Sequence, residues 1–289
     1  MIPAQPSRTA LRVALHRAAH QLLDAPHVFV DPLAVRILGP KAEAAFRADP
    51  AQYDTSRFAP QMRAFMAVRA RFAEEQITQA RATGVRQIVI LGAGLDTYAY
   101  RSPATPPVTI WEVDHPATQA WKRELLAAAG IEPPAHLKFV AADLAHEPLE
   151  GVLAAGGFDA HAGAVFSWLG VTQYLRVDAV FATLRYVAGA TAAAGGITFD
   201  YSIAPQLLSL SERSAYDALA ARVSALGEPW LSNFVPAELV SALANNGFGV
   251  ARDLDPQELL QRFVADDAER PRLGRLARLM WAGAAPYTA

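Results

Sequence analysis

The sequence predicts an α/β protein built around a mostly parallel sheet with helices on both of its faces. Between residues 86 and 202, short aliphatic runs alternate with helical patterns. This alternation is typical of βαβ units, in which successive strands lie parallel. The runs are apolar along almost their whole length, as expected for strands that are buried on both faces. The chain has 289 residues and is 52% hydrophobic, which is enough for one large domain with a sizeable core.

Five aliphatic runs and two C-terminal candidates make up the predicted strands. The predicted strands are QIVILG (87–92), VTIWEVD (108–114), LKFVAADL (137–144), DAHAGAVFSWLG (159–170), GGITFDYS (195–202), FGVARDL (248–254) and RLARLMWAGA (275–284). Helical patterns at 116–129, 147–155 and 177–192 separate several of these runs. Seven strands with intervening helices indicate a sheet that is covered on both sides.

A helical extension precedes the first strand. Apolar residues at helical spacing predict a helix over 8–23, and a second pattern predicts one over 57–82 that ends at Gly84. Between them, Asp31-Pro32 predicts the start of a short helix that ends at Gly39-Pro40.

The segment after the fifth strand carries a helical stretch over 206–225, the loop GEPWLSN and a helix from near Pro236 to Asn245-Asn246-Gly247. We therefore expect one domain over 1–289. In it, 1–84 form a helical extension or lid, 85–289 form the α/β core, and 203–235 form an insertion on the substrate side.

Composition excludes several classes of protein. The 26 basic and 28 acidic residues give a net charge of −2, which disfavours nucleic acid or a polybasic membrane contact as partners. The absence of cysteine excludes disulfides, thiolate metal sites and cysteine nucleophiles. His16 and His20 stand four residues apart without an acidic partner, so no metal site is expected. No run reaches the ~20 apolar residues of a membrane span and no signal peptide is evident, so a soluble cytoplasmic protein is expected.

The most specific motif is Gly92-Ala93-Gly94, a turn between the first strand and a predicted helix. Glycines allow a tight turn and a close approach by a ligand. The N–H groups at the start of a following helix favour electron-rich groups on that ligand. A dinucleotide site would place a third glycine at the position of Thr97. The motif therefore fits a nucleoside ligand that has no pyrophosphate better than a dinucleotide.

Acidic residues end the next two strands. Either Glu112 or Asp114 lies at the spacing typical of an acid that accepts hydrogen bonds from ribose hydroxyls. Asp143 and Leu144 end the third strand and suit an adenine amine and an adenine ring face, respectively. Both aspartates also suit the N-cap of a following helix, and that alternative stays open here.

Several longer runs resemble the leucine carboxyl methyltransferase family, a branch of the class I S-adenosylmethionine-dependent methyltransferases. The resemblance is carried by RAAHQLLDAPHVFVDPLA, VRARFAEEQI, VILGAGLDTYAYR, WEVDHPATQAWKRELL, AADL, WLGVTQYL and GEPWLSNFVPAEL. It implies a Rossmann-like class I methyltransferase fold with a mostly parallel seven-stranded sheet. It also implies S-adenosyl-L-methionine as the cofactor, held by Gly92, Ala93, Gly94, Asp114, Asp143 and Leu144.

The same resemblance implies that Arg69 pairs with the carboxylate of the cofactor. Arg71 is the close competitor, but residues two apart on a helix do not share a face. One family position differs here: Leu169 stands where the eukaryotic members carry a glutamate, whereas Tyr174 keeps a tyrosine. Methylation of a protein C-terminus is therefore not inferred.

The expected activity is methylation of a carboxylate or hydroxyl oxygen on a small molecule, as in the polyketide and other secondary metabolism of bacterial family members. Tyr174 is the candidate catalytic residue, and Tyr201, Trp230, Asn233 and Phe234 are candidates for the substrate pocket or, alternatively, for the core. No histidine stands out as a general base, which favours an acceptor that is already ionised. A nicotinamide-dependent oxidoreductase and a non-catalytic cofactor-binding protein are the alternatives.

Overall fold

The computed structural model describes residues 6–54, 58–103, 105–266 and 270–284. The strands are β1 (Gln87–Leu91), β2 (Thr109–Asp114), β3 (Leu137–Ala141), β4 (Ala164–Trp168), β5 (Gly195–Ser202), β6 (Val250–Leu254) and β7 (Ala277–Gly283). The α-helices are α1 (Arg8–Leu23), α2 (Pro40–Ala48), α3 (Ala59–Ala82), α4 (Tyr98–Arg101), α5 (Pro116–Ala128), α6 (Leu149–Ala155), α7 (Val177–Ala190), α8 (Leu210–Ser224), α9 (Pro236–Asn245) and α10 (Pro256–Phe263).

The strands of the described chain form one seven-stranded sheet in the order β3-β2-β1-β4-β5-β7-β6. β1 to β5 pair in parallel, and β7 runs antiparallel between β5 and β6. The predicted α/β class and its mostly parallel seven-stranded sheet are thus confirmed. The central β1 and β4 are buried along their whole length, whereas the edge strands β3 and β6 are partly exposed.

Apolar clusters cover both faces of the sheet. On one face, side chains of α6, α7 and α9 pack against the strands around Phe166 and Phe199. On the other face, α3, α4 and α10 pack around Ile88 and Ile110. Burial on both faces explains why the strand sequences are continuously apolar rather than alternating.

Several elements differ from the sequence predictions. The predicted third strand, 137–144, ends at Ala141. The run at 159–170 forms a strand only over Ala164–Trp168, because the residues before it form a turn in which the Asp159 carboxylate accepts from the His161 N–H. The predicted short helix after Asp31 is a set of turns with a 3-10 segment at Arg36–Leu38. The predicted 206–225 helix starts at Leu210, where Ser209 and Glu212 form a capping box. Helices α2 and α10 were not predicted.

The extension is fastened to the core at the start of α1. Ser7 caps the helix by accepting from the Ala10 N–H, and its own N–H donates to the Thr118 hydroxyl. The Glu228 carboxylate accepts from the N–H groups of Arg8 (3.1 Å) and Thr9 (3.0 Å). Negative charge at a helix N-terminus is favourable, so this contact ties α1 to the 203–235 insertion. None of the helices in the described ranges has the length and apolar content needed to cross a membrane.

Candidate active site

A cavity of about 1390 Å³ lies over the carboxyl ends of β1 to β5. Residues at the ends of these strands or directly after them form one wall, which we call the floor: 92–95, 114–115, 142–146, 169–171, 173–175 and 200–202. Arg69 of α3, which pairs with Asp200, belongs to the same wall. The opposite wall, which we call the roof, consists of residues from α1, residues 59–66 of α3, α8 and the loop at 228–231. Ligands of open α/β sheets bind at this edge of the sheet.

The glycine turn lies at the end of β1 and lines the cavity. Gly92 and Gly94 have φ values of 63° and 44°, in the left-handed region that favours glycine. A Cβ at Gly92 would lie 2.3 Å from Val171 Cγ2, so the packing of the protein itself already requires glycine there. The helix expected directly after the turn is the four-residue α4, which begins only at Tyr98. Its N-terminus therefore does not adjoin the turn, and this part of the expectation is wrong.

Asp114 reaches the cavity floor with both carboxylate oxygens bonded to main-chain N–H groups. One oxygen accepts from Gly94 N–H, and the other accepts from His115 N–H at 2.6 Å. Burial raises the pKa of Asp114, although these two N–H donors oppose the rise. The N-cap of α5 is His115, whose imidazole accepts from Ala117 N–H, so the capping alternative for Asp114 is wrong.

Glu112, the competing ribose candidate, is 1% exposed and has a different partner. The Lys122 Nζ lies 2.7 Å from one of its carboxylate oxygens. Burial raises the pKa of Glu112, and the Lys122 charge opposes the rise. Among the described residues that line the cavity Glu112 is absent, so the structure brings Asp114 and not Glu112 to the floor.

Asp143 and Leu144 line the cavity beyond β3. The Asp143 carboxylate accepts from Ala145 N–H at 3.0 Å, and its other oxygen lies 2.9 Å from His146 Nδ1. Partial burial raises the pKa of Asp143, but these hydrogen bonds outweigh burial and the net shift is downward. Asp143 thus closes a turn rather than capping α6, whose N-cap is Pro148.

Arg69 projects from α3 into the cavity, and its guanidinium is held in a buried ion pair. Its Nη1 lies 2.6 Å from an oxygen of Asp200, whose other oxygen accepts from Gly170 N–H at 2.5 Å. Asp200 stands near the end of β5 and was missed in the sequence, because the pair is 131 positions apart. Arg71 points elsewhere: it contacts Glu75 and the ring of Phe263.

The candidate substrate residues divide into two groups. Tyr174, Tyr201 and Trp230 line the cavity. The Tyr201 hydroxyl donates to Asp253 at 2.6 Å, and the Trp230 ring lies 5.1 Å from that of Tyr216. Of the two tyrosines, only Tyr174 has a hydroxyl without a hydrogen-bond partner among the described residues.

Asn233 and Phe234 were predicted as pocket residues, but the structure does not bring them to the cavity lining formed by the described residues. Asn233 is exposed, and its side chain lies near enough to the Tyr216 hydroxyl to lower the pKa of Tyr216, although burial outweighs this effect. Phe234 is 8% exposed and packs edge-on against Phe181 and Tyr201, which is the core-packing alternative.

Three roof residues were not predicted to contribute to this site, although His16 was considered as a metal ligand. Arg12 and His16 share one face of α1, being four residues apart, and Arg222 comes from the last turn of α8. Burial and then the Arg12 charge lower the pKa of His16 to about 4; Arg63 and Arg69 add to this and Asp54 opposes it. The four-residue spacing on α1 is the sequence signal that places Arg12 and His16 on one face. No local sequence pattern indicates that Arg222 lies near them.

Comparisons with known proteins identify the family of the chain. The family model of leucine carboxyl methyltransferase matches residues 10–188. YktD of Bacillus subtilis, which bears the name of an S-adenosyl-L-methionine-dependent methyltransferase, is 28% identical over 90% of this chain and 92% of its own length. Rv3787c of Mycobacterium tuberculosis, similarly named, is 37% identical over 61% of this chain and 58% of its own length.

Two crystal structures are similar over nearly the whole chain. A DUF574 family protein from Streptomyces avermitilis aligns with a TM-score of 0.57 at 17% identity, covering 98% of this chain and 99% of its own. A Thermobifida fusca protein described as a methyltransferase aligns with a TM-score of 0.56 at 18% identity, covering 97% and 95%. These likenesses show the Rossmann-like class I methyltransferase fold. The chain belongs to the leucine carboxyl methyltransferase family of S-adenosylmethionine-dependent methyltransferases.

Proposed function

We propose that the chain is an S-adenosylmethionine-dependent O-methyltransferase that acts on a small molecule, with a carboxylate as the preferred methyl acceptor. The observation that carries the proposal is one continuous cavity that joins the strand-end acids and glycine turn to a separate helical roof. Its volume of about 1390 Å³ exceeds the range of roughly 300–1,000 Å³ that is usual for a single ligand. The cavity therefore has room for a cofactor and an acceptor together.

The residues on the floor suit S-adenosylmethionine. Asp114 would accept from the ribose hydroxyls, and Asp143 with Leu144 would hold the adenine. Gly92, Ala93 and Gly94 would flank the amino-acid part. Arg69 uses Nη1 for Asp200, and its Nη2 has no hydrogen-bond partner in the described chain. That nitrogen is available to the cofactor carboxylate, as guanidinium–carboxylate pairing requires.

A nicotinamide dinucleotide suits this floor less well. The position of the third glycine holds Thr97, which is fully buried. Its hydroxyl donates to Asp31 at 2.7 Å and accepts from Arg17 at 3.2 Å and Arg101 at 3.0 Å. A side chain fixed in this way leaves no space for the close helix–strand approach that a dinucleotide motif uses. Family membership favours the methyltransferase for the same site.

The cofactor, when bound, supplies an electrophilic methyl group on a sulfonium. The protein needs chiefly to hold the acceptor oxygen in line with that methyl, and such positioning can lower a barrier by up to ~7–11 kcal/mol. We assign the closure of the cavity to α1, α3 and the 203–235 insertion, which would exclude water. Tyr174 is the proposed residue that contacts the acceptor oxygen. An acceptor carboxylate is ionised at neutral pH and needs no base; His16, with its pKa at about 4, is a weak one there.

The test is product identification. The protein is incubated with S-adenosylmethionine and a panel of small carboxylic acids, phenols and alcohols, including polyketide-like ones, and products are found by mass spectrometry. We expect a methyl ester that mild alkali cleaves, formed at a rate nearly flat from about pH 6 to 9, above a free carboxyl pKa of ~4. An alkali-stable methyl ether with a rate that climbs with pH would overturn the carboxylate preference. Calorimetric binding of NAD but not of S-adenosylhomocysteine would overturn the methyltransferase proposal itself.

A further inference from the structure

The roof of the cavity carries positive charge that the protein does not neutralise. Arg12 is partly buried and Arg222 is exposed; both line the cavity, close enough that the Arg222 charge disfavours the charge on Arg12. Among the described residues, neither has an ion pair or a side-chain hydrogen bond. Partial burial and then the Arg222 charge lower the pKa of Arg12, and Tyr174 opposes this. Like charges held together without a counterion are an arrangement that an anion would stabilise.

The acids around the same cavity do not supply that counterion, because each already binds a donor. The pairs are Asp54 with Arg63, Asp96 with Arg17, Asp114 and Asp143 with main-chain N–H groups, Asp200 with Arg69, Glu212 with Ser209, and Glu228 with the N–H groups that start α1. Each of these negative charges is thus engaged by a donor within the protein. The two unpaired cations lie at the roof.

The cavity that the two arginines line is largely apolar. Val13 on α1, Leu219 on α8, Phe65 on α3 and Trp230 on the 228–231 loop share the cavity lining with them. A guanidinium presents a planar fork that matches the two oxygens of a carboxylate. An apolar molecule with one carboxylate therefore complements both the charge and the walls.

We propose that Arg12 and Arg222 form an anion subsite that binds a carboxylate of the methyl acceptor, with Tyr174 beside it. The inference rests on the proposed function, and it adds that the substrate is an apolar small acid. The subsite is separate from Arg69, whose charge Asp200 balances and which is assigned to the cofactor.

The experiment titrates the full chain, saturated with S-adenosylhomocysteine, with benzoate, cinnamate and octanoate and with the amide of each. Calorimetry reports the affinities. We expect at least one acid to bind about tenfold or more tightly than its amide. We expect Arg12→Met and Arg222→Met each to lower that acid's affinity roughly tenfold to a hundredfold, as for the loss of a charge-assisted hydrogen bond, with the amide unchanged.

Matched controls come from the same two helices. Arg8 on α1 and Arg213 on α8 are exposed and lie outside the described cavity lining, so Arg8→Met and Arg213→Met change the net charge equally. We expect both to keep the wild-type affinity for the acid. Equal losses in the control and subsite variants, or no acid preferred to its amide, would overturn the subsite.

The cofactor titration separates the two proposals. Arg12→Met and Arg222→Met are expected to bind S-adenosylhomocysteine as the wild type does. A loss of that binding in these variants would overturn the subsite by assigning the arginines to the cofactor. Failure of the wild type to bind S-adenosylhomocysteine would instead contradict the proposed function.

Discussion

The floor and the roof of the cavity differ in how their charges are balanced. At the floor, Asp114 accepts two main-chain N–H groups and Asp200 pairs with Arg69, so each charge has a partner within the protein. At the roof, Arg12 and Arg222 face the cavity without one among the described residues. The floor is arranged before any ligand arrives, which suits a constant cofactor. In the subsite proposed above, the carboxylate of a ligand would balance the charge of the roof, which suits the part of the site that selects a substrate.

The largest expected effect tests the balanced charges of the floor. Asp200→Ala removes the partner of Arg69, whose side chain is 6% exposed. An uncompensated buried charge typically costs about 3–5 kcal/mol, so we expect the free energy of unfolding to fall by that much in urea denaturation. Asp178→Ala, which breaks an exposed pair with Arg176, is the control and should cost under about 1 kcal/mol. Similar losses of unfolding free energy in both variants would show that the buried Arg69–Asp200 pair contributes no more to stability than an exposed pair.

The next effect concerns cofactor affinity at the floor. We expect Asp114→Ala to weaken S-adenosylmethionine binding roughly tenfold to a hundredfold, because hydrogen bonds to two ribose hydroxyls are lost. Glu112→Gln is the matched comparison, since the Glu112 carboxylate pairs with Lys122 and does not reach the cavity lining of the described chain. Calorimetry on the folded variants measures both. A larger loss in Glu112→Gln would move the ribose site from Asp114 to its neighbour.

A smaller, selective effect is expected for Arg69. Arg69→Met should reduce affinity for S-adenosylmethionine about tenfold more than affinity for adenosine, which has no carboxylate. Arg71→Met is the control, because Arg71 lies against Glu75 and Phe263. Equal losses of affinity for the two ligands in Arg69→Met would show that the guanidinium does not bind the cofactor carboxylate and only stabilises the floor by pairing with Asp200.

Much of the floor could be predicted from the sequence because strands buried on both faces are continuously apolar. The predicted ends of β1 and β5 lie within one residue of the observed ends, and β2 ends at Asp114 as predicted. Because the carboxyl ends of parallel strands meet at one edge of a sheet, local patterns were enough to predict that Gly92, Gly94 and Asp143 lie close together.

The roof could not be predicted in the same way, because its contacts join distant segments. Glu228 binds the start of α1 from 220 positions away, and Arg222 lies close enough to Arg12 for its charge to lower the pKa of Arg12. Neither contact leaves a periodic or local signal. Phe234 shows the same limit: an aromatic residue in the insertion suits a pocket or a core equally, and only packing against Phe181 decides.

The smallest expected effect tests the unbalanced charge of the roof directly. In the fold, burial and the Arg12 charge lower the pKa of His16 from 6.5 to about 4. The unfolded chain therefore binds a proton at higher pH than the folded chain, and His16 makes the protein less stable as pH falls from 6.5 to 4. Arg12→Met removes a repelling charge, so the pKa of His16 should rise, although burial would still hold it below 6.5.

Titration of the imidazole signals by NMR measures this shift, with Arg8→Met as the control that keeps the roof intact. An unchanged His16 pKa in Arg12→Met would show that the roof charge is neutralised by solvent ions.

A crystal structure of the chain with S-adenosylhomocysteine tests the division between floor and roof most directly. The account predicts ribose hydroxyls within hydrogen-bond distance of Asp114, the ligand carboxylate on Arg69, and a sulfur atom that faces a space bounded by Arg12, Tyr174 and Arg222. A ligand carboxylate bound by Arg12 and Arg222, with Asp114 away from the ribose, would contradict it.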